Sequence, residues 1–255
     1  MLKHRVIPAL LLRDGGLVKT RRFKDAKYVG DPINAIRIFN EKEVDELIVL
    51  DIAASKRDRE PDYATIELFA GECFMPLCYG GGVRSVDQAA RLFDLGIEKI
   101  CLQSAAFGQL DLISQIAARY GSQSIVISVD VKRNWRGKPV LYESRRGQTR
   151  EQGWLDFAQK AVAAGAGEVL VTAVDRDGEM GGYDLDLIRQ AAQGVRVPLI
   201  ALGGAGSLED IKAAIDAGAS AAAAGALFVF HGPHRAVLIT YPRYAELEKL
   251  LGQRA

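Results

Sequence analysis

The sequence predicts a single (β/α)8 barrel, and three observations predict it. Short apolar runs alternate with amphipathic segments along the whole chain. The runs lack the period-2 alternation of strands with one wet face, as parallel strands buried on both sides should. One half of the chain repeats in the other. The runs fall at 5–12, 46–52, 75–80, 99–104, 124–132, 168–174, 197–203 and 219–226. Eight β-then-α units within 255 residues are what a closed parallel barrel needs. An open doubly wound sheet is the weaker alternative, because no GxGxxG fingerprint follows the first run.

Taken in order, the first run is Val6-Ile7-Pro8-Ala9-Leu10-Leu11-Leu12, followed by a loop carrying Lys19. Asp31-Pro32 opens the first amphipathic segment, with proline at the first turn. After the third run, Ser85-Val86-Asp87-Gln88 reads as a capping box. Ser207-Leu208-Glu209-Asp210 opens the seventh helix with Asp where the box usually has Glu or Gln. Gly96, Gly121, Gly165 and Gly218 mark helix ends. The segment Gly82 to Gly96 aligns with Gly204 to Gly218, Ser85 answering to Ser207 at a constant offset of 122 residues. A half-barrel duplicated once explains that register, with halves at about 1–122 and 123–255 of one domain.

Composition narrows the function. Apolar residues make up 49% and charged residues 25%, a globular profile, and the net charge is +1. Neutrality argues against nucleic acid or a membrane surface as the main partner. The N-terminus has no apolar core or cleavage site of a signal peptide, and no stretch of about 18 apolar residues occurs. Cys73, Cys78 and Cys101 lack CxxC spacing and read as reduced, buried thiols of a cytoplasmic protein. His231 and His234 stand alone as an HxxH, a weak zinc pattern. No metal and no cofactor is expected.

Barrel enzymes work where strands end and βα loops begin. Three glycine-rich turns sit there: Gly80-Gly81-Gly82, Gly203-Gly204-Ala205-Gly206 and Ala224-Gly225-Ala226. Glycine lets backbone N–H groups approach an anion at a helix start. Two such places in opposite halves suit an elongated ligand with a phosphate at each end. Asp51, Asp130, Asp175 and Asp177 are the strand-end carboxylates, and a buried carboxylate needs a partner or a role. Asp130 is the main acid/base candidate. Asp175-Arg176-Asp177-Gly178 is expected to be a self-paired loop. The runs at Lys56–Glu60 and Arg145-Arg146 read as solvated.

These segments together resemble the HisF family, the cyclase subunit of imidazole glycerol phosphate synthase. The likeness is carried by YVGDP at 28–32, DELIVLDI at 45–52, GGGVRS at 80–85, YGSQSIV at 120–126, DRDGEMGGYDL at 175–185 and ALGGAGSLED at 201–210. It implies a barrel paired with a HisH-like glutaminase, whose ammonia passes through the barrel to two aspartates that cleave and cyclise a bisphosphorylated ribonucleotide. Asp130 matches one catalytic aspartate, and Leu11 takes the place of the other. Lys19, Asp51, Thr172, Asp177, Gly178 and Gly204 match substrate-side positions, and Gly81, Gly82, Gly203 and Gly225 of the glycine turns are phosphate-binding candidates beside them. Gln103 and Ser104 stand for Asn and Thr, and Leu202 and Ala226 for two phosphate-contacting serines. The family's charged ring at the ammonia entrance is complete as Arg5, Glu46, Lys99 and Glu168.

The segments ALLLRDGGLVKT, FMPLCYGGG and LFVFHGPHRAVLITYP resemble the HisF-like paralogues associated with amidation of N-acetyl sugars in surface polysaccharide synthesis. The implied role is to supply ammonia to a separate sugar amidotransferase. The alternatives are a working cyclase, with Asp14 or Asp51 replacing the lost aspartate, and a non-catalytic phosphosugar- or nucleotide-binding scaffold. A general acid or base is worth on the order of 10²–10⁴ in rate, so Leu11 weighs against the cyclase.

Overall fold

The computed structural model describes residues 4–252. Eight parallel strands close into a barrel: β1 (Arg5–Arg13), β2 (Leu47–Asp51), β3 (Leu77–Gly80), β4 (Lys99–Leu102), β5 (Ile125–Arg133), β6 (Glu168–Ala173), β7 (Leu199–Leu202) and β8 (Ala221–Ala224). Each pairs with the next, and β8 pairs with β1 to close the ring. All eight expected runs are strands, with ends trimmed by up to two residues and β1 and β5 running one residue further. The outer helices are α1 (Pro32–Glu41), α2 (Tyr63–Ala70), α3 (Val86–Asp94), α4 (Leu110–Tyr120), α5 (Trp154–Ala163), α6 (Leu185–Gly194) and α7 (Leu208–Asp216). A short α8 (Ala226–Val229) and a final α9 (Tyr244–Leu251) complete the chain.

The strands do alternate, but between two apolar faces. Ile7, Ala9, Ile48, Cys78, Cys101, Val126, Leu170, Ile200, Ala221 and Ala223 point into the lumen and form one cluster. Their neighbours, such as Val6, Leu10, Val49, Ile127 and Val171, pack outward in the larger cluster under the helices. Burial on both faces hides period-2 patterning in the sequence.

Helix starts follow local chemistry, with one reversal. Asp31 accepts from Asn34 N at 2.9 Å ahead of Pro32. Ser85 accepts from Gln88 N, but the Gln88 side chain accepts from Arg84 N and not from Ser85 N, so the expected box is not closed. Ser207 and Asp210 do close a reciprocal box, at 3.2 and 3.0 Å. The shorter Asp side chain reaches the cap that was read as imperfect.

Three excursions were not foreseen. β1 runs through the Asp14-Gly15 turn into a hairpin, Gly16–Arg21 with Lys24–Gly30. Its second turn places Arg22 and Phe23 at positive φ without glycine, which removes the usual turn signal. β5 extends into Pro139–Glu143 and Gln148–Thr149. Phe230–His231 pairs with Ala236–Val237, and that hairpin holds His231 and His234 out in solvent. The tail then returns to the barrel seam, where Tyr241 Oη donates to Val6 O at 2.8 Å.

Among the described residues no helix is long and apolar enough to cross a membrane. All three cysteines are free, Cys78 and Cys101 buried and Cys73 half-buried.

Candidate active site and barrel entrance

At the C-terminal ends of the strands lies a cavity of about 140 Å³, far more than one buried water fills. It gathers Leu11, Lys19, Asp51, Gly81, Gly82, Gln103, Ser104, Asp130, Thr172, Asp177 and Gly225. The structure thus brings together most of the residues singled out in the sequence. Gly178, Gly203, Gly204 and Ala226 lie outside the lining. A Cβ on Gly204 would stand 2.2 Å from Gly182 O, and one on Gly178 2.2 Å from Thr20 O. Close backbone packing therefore accounts for these two glycines without a ligand.

Asp130 is near the end of β5, and its side chain points inward, 5% exposed. Burial pushes its carboxyl up to about 6. Hydrogen bonds from Gln103, Thr172 and Ser128 act against burial, and the charge of Asp177 adds to it. Ser128 Oγ donates at 3.3 Å from two residues earlier on the same face of β5. The Gln103 amide is held by the β5 excursion: its Oε1 accepts from Ser144 Oγ at 2.6 Å and Ser144 N at 3.2 Å. The Gln103 NH₂ donates to Tyr142 O at 3.5 Å and also serves Asp130. Asp130 so remains a group able to take or give one proton near neutrality.

Leu11 lines the same cavity from β1, the strand diametrically across the barrel from β5. With Ala9, Leu50 and Leu202 it makes one wall apolar. The two proposed substitutes already have structural partners. Asp14 is held outside by Arg57, Arg59 and Arg13. Asp51 commits Oδ1 to the amides of Ala53 and Ala54, at 2.8 and 2.9 Å, and so shapes the turn after β2.

Lys19 comes from the unforeseen hairpin. Its Nζ donates to Asp177 Oδ1 at 2.8 Å and to Thr20 O at 3.1 Å, while Thr20 Oγ1 donates to Asp177 Oδ2 at 2.8 Å. The Asp175–Gly178 loop is therefore not self-paired. Asp175 accepts from Arg133 N, Asp177 holds Lys19, and Arg176 donates to the carbonyls of Gly181 and Gly182. Reaching across to a hairpin costs less than pairing charges two residues apart in a tight turn. Thr20, Ser128 and Ser144 were missed; only Ser128, two residues from Asp130, left a signal in the sequence.

The opposite end of the lumen carries a ring of four charges. Arg5 pairs with Glu46 and, at 3.3 Å, with Glu168. Lys99 Nζ lies 3.0 Å from Glu46 and 3.0 Å from Glu168. The first residues of β1, β4 and β6 and the residue before β2 supply it. All four expected members meet. Among the described residues no three His, Cys, Asp or Glu side chains gather as a metal site.

Known proteins resemble this chain along most of its length. The family described as histidine biosynthesis protein matches residues 5–234. A Pseudomonas aeruginosa protein, provisionally named imidazole glycerol phosphate synthase subunit hisF2, is 51% identical over 249 residues, covering 97% of this chain and 99% of that one. The chain belongs to the HisF family. A Vibrio vulnificus relative, provisionally hisF3, is 49% identical over 98% of this chain and 97% of its own. The Hyphomonas neptunium imidazole glycerol phosphate synthase subunit HisF is 40% identical over 90% of this chain and 91% of its own. In this HisF-type barrel the ring, the lumen and Asp130 lie along one axis.

Proposed function

We propose that this chain is a synthase-type barrel subunit that receives ammonia from a HisH-like glutaminase and delivers it at the opposite face, to a sugar amidotransferase of surface polysaccharide (O-antigen type) synthesis in the cytoplasm. One observation carries the reading: Leu11 stands in the cavity facing Asp130, while the ring of Arg5, Glu46, Lys99 and Glu168 is complete. On this reading a conduit is kept and half of the acid/base pair is dropped. A lone carboxylate can move one proton but cannot serve as acid on one side of a substrate and base on the other. The upper cavity is read as holding a phosphorylated small molecule, with backbone amides of the glycine turns and Lys19 as its anion partners.

A second reading, the lyase reaction of histidine synthesis, is favoured by Asp130 itself, which keeps its supporting hydrogen bonds and ionises near 6. One experiment separates the two. The barrel alone is given the bisphosphorylated ribonucleotide and saturating ammonium, which bypasses the glutaminase. No turnover is expected, and Leu11→Asp should introduce some. Clear turnover by the unaltered chain would overturn the delivery reading. A scaffold without a conduit is tested at the ring. Lys99→Met should change glutamine-driven amidation and leave ammonium-driven amidation intact; an equal effect on both would remove the conduit from the account.

A further inference from the structure

The two basic runs that read as solvated loops meet in space. Asp58, at the end of a short turn after β2, binds Arg84 at 3.2 Å from the start of α3 and Arg145 at 2.5 Å from the β5 excursion. Arg84 also donates to Asp58 O at 3.0 Å. Beside it, Asp14 gathers Arg57, Arg59 at 3.5 Å and Arg13 at 3.7 Å. Four chain segments, far apart in sequence, thus form a collar at one side of the cavity mouth. Arg13, Lys56, Arg57, Arg59, Arg84 and Arg145 stand there against Asp14, Asp58 and Glu60. Six cations against three carboxylates leave a local excess of three, in a chain whose net charge is +1.

Two features aim the collar at a ligand that also occupies the cavity. Lys56 and Arg145 line the cavity as well as the collar. The glycine turn at the cavity edge rests on collar backbone, where a Cβ on Gly82 would stand 2.8 Å from Arg59 O. Arg57, Arg59, Arg84 and Arg145 have side chains 37–50% exposed, so their guanidiniums retain open N–H donors. Asp14 and Asp58 hold the guanidiniums in place, which lowers the entropy lost when an anion arrives. Planar guanidinium forks match phosphate oxygens two at a time.

We propose that the collar is a second anion site, outside the cavity, that binds the diphosphate group of a small molecule whose other end enters the cavity. The inference rests on the reading that a phosphorylated small molecule occupies the cavity. A separate acidic protein surface would have no need of Lys56 and Arg145 turned into the cavity wall.

The test is calorimetric titration of the full chain with inorganic pyrophosphate and, separately, inorganic phosphate. Pyrophosphate should bind about tenfold or more tighter, the scale of one or two charge-assisted hydrogen bonds. The double variant Arg84→Gln/Arg145→Gln should lose that advantage. Arg189→Gln/Lys212→Gln removes the same charge from α6 and α7, and should keep it. Equal binding of the two anions, or equal loss in both double variants, would overturn the collar alone. Failure of both anions to bind would remove the phosphate reading of the cavity as well. A polyglutamate peptide that binds in a collar-dependent manner, with pyrophosphate indifferent to the collar variants, would reassign the surface to an acidic protein.

Discussion

Asp130 holds its proton to about pH 6, against an ordinary value near 3.8. Between those values the folded chain keeps a proton that the unfolded chain has lost. Stability therefore falls as pH rises through that window and stays lowered above it. Asp130→Asn removes the buried charge. Against the parent it should gain up to about 3 kcal/mol near pH 8 and little near pH 4, read from urea midpoints. A variant equally stabilised at both pH values would show that burial is not what raises the group. Leu11 acts on the same quantity. A second carboxylate at that position adds like charge across the cavity, so Leu11→Asp should move the Asp130 midpoint further up, measured by carboxyl NMR titration.

The charged ring depends on the starts of four strands staying in register. Glu46 is 1% exposed and accepts from both Arg5 and Lys99, so removing it leaves two cations to share the single carboxylate of Glu168. Glu46→Ala should cost about 3 kcal/mol, the low end for a broken buried pair, because Arg5 is 28% exposed. Glu46→Gln, which keeps an acceptor, should cost clearly less; equal losses in denaturant midpoint would mean that the charge is irrelevant. The ring was legible because each member opens an apolar run and a known pattern named it. The strands were legible because β-rich runs of five or so residues can be buried only one way in a closed parallel sheet. The hairpin that presents Lys19 was not, since its second turn uses Arg22 and Phe23 where glycine is expected. The collar was not legible either, because Asp58 joins Arg84 to Arg145 and neither partner is visible from the other in sequence.

On the scale of the molecule, ring and cavity are separated by the apolar lumen and share no side chain. Their energetics should be independent. The stability changes of Lys99→Met and Leu11→Asp are expected to add within about 0.5 kcal/mol in the double variant. A larger departure would reveal coupling along the axis. The lumen has a consequence of its own. A solute that crosses it exchanges its water shell for the methyl groups of Ile7, Ile48, Val126, Leu170 and Ile200 and for two thiols. An ion meets a desolvation penalty of several kcal/mol there, and a small neutral molecule very little. A barrel with the proposed delivery role would therefore sort by protonation state. In that role, the ammonia delivered beneath Asp130 would arrive uncharged and dry, with a lone pair still free. The first proton it meets is one supplied from above, and Asp130 is the buried group at that end still able to hold one near neutral pH.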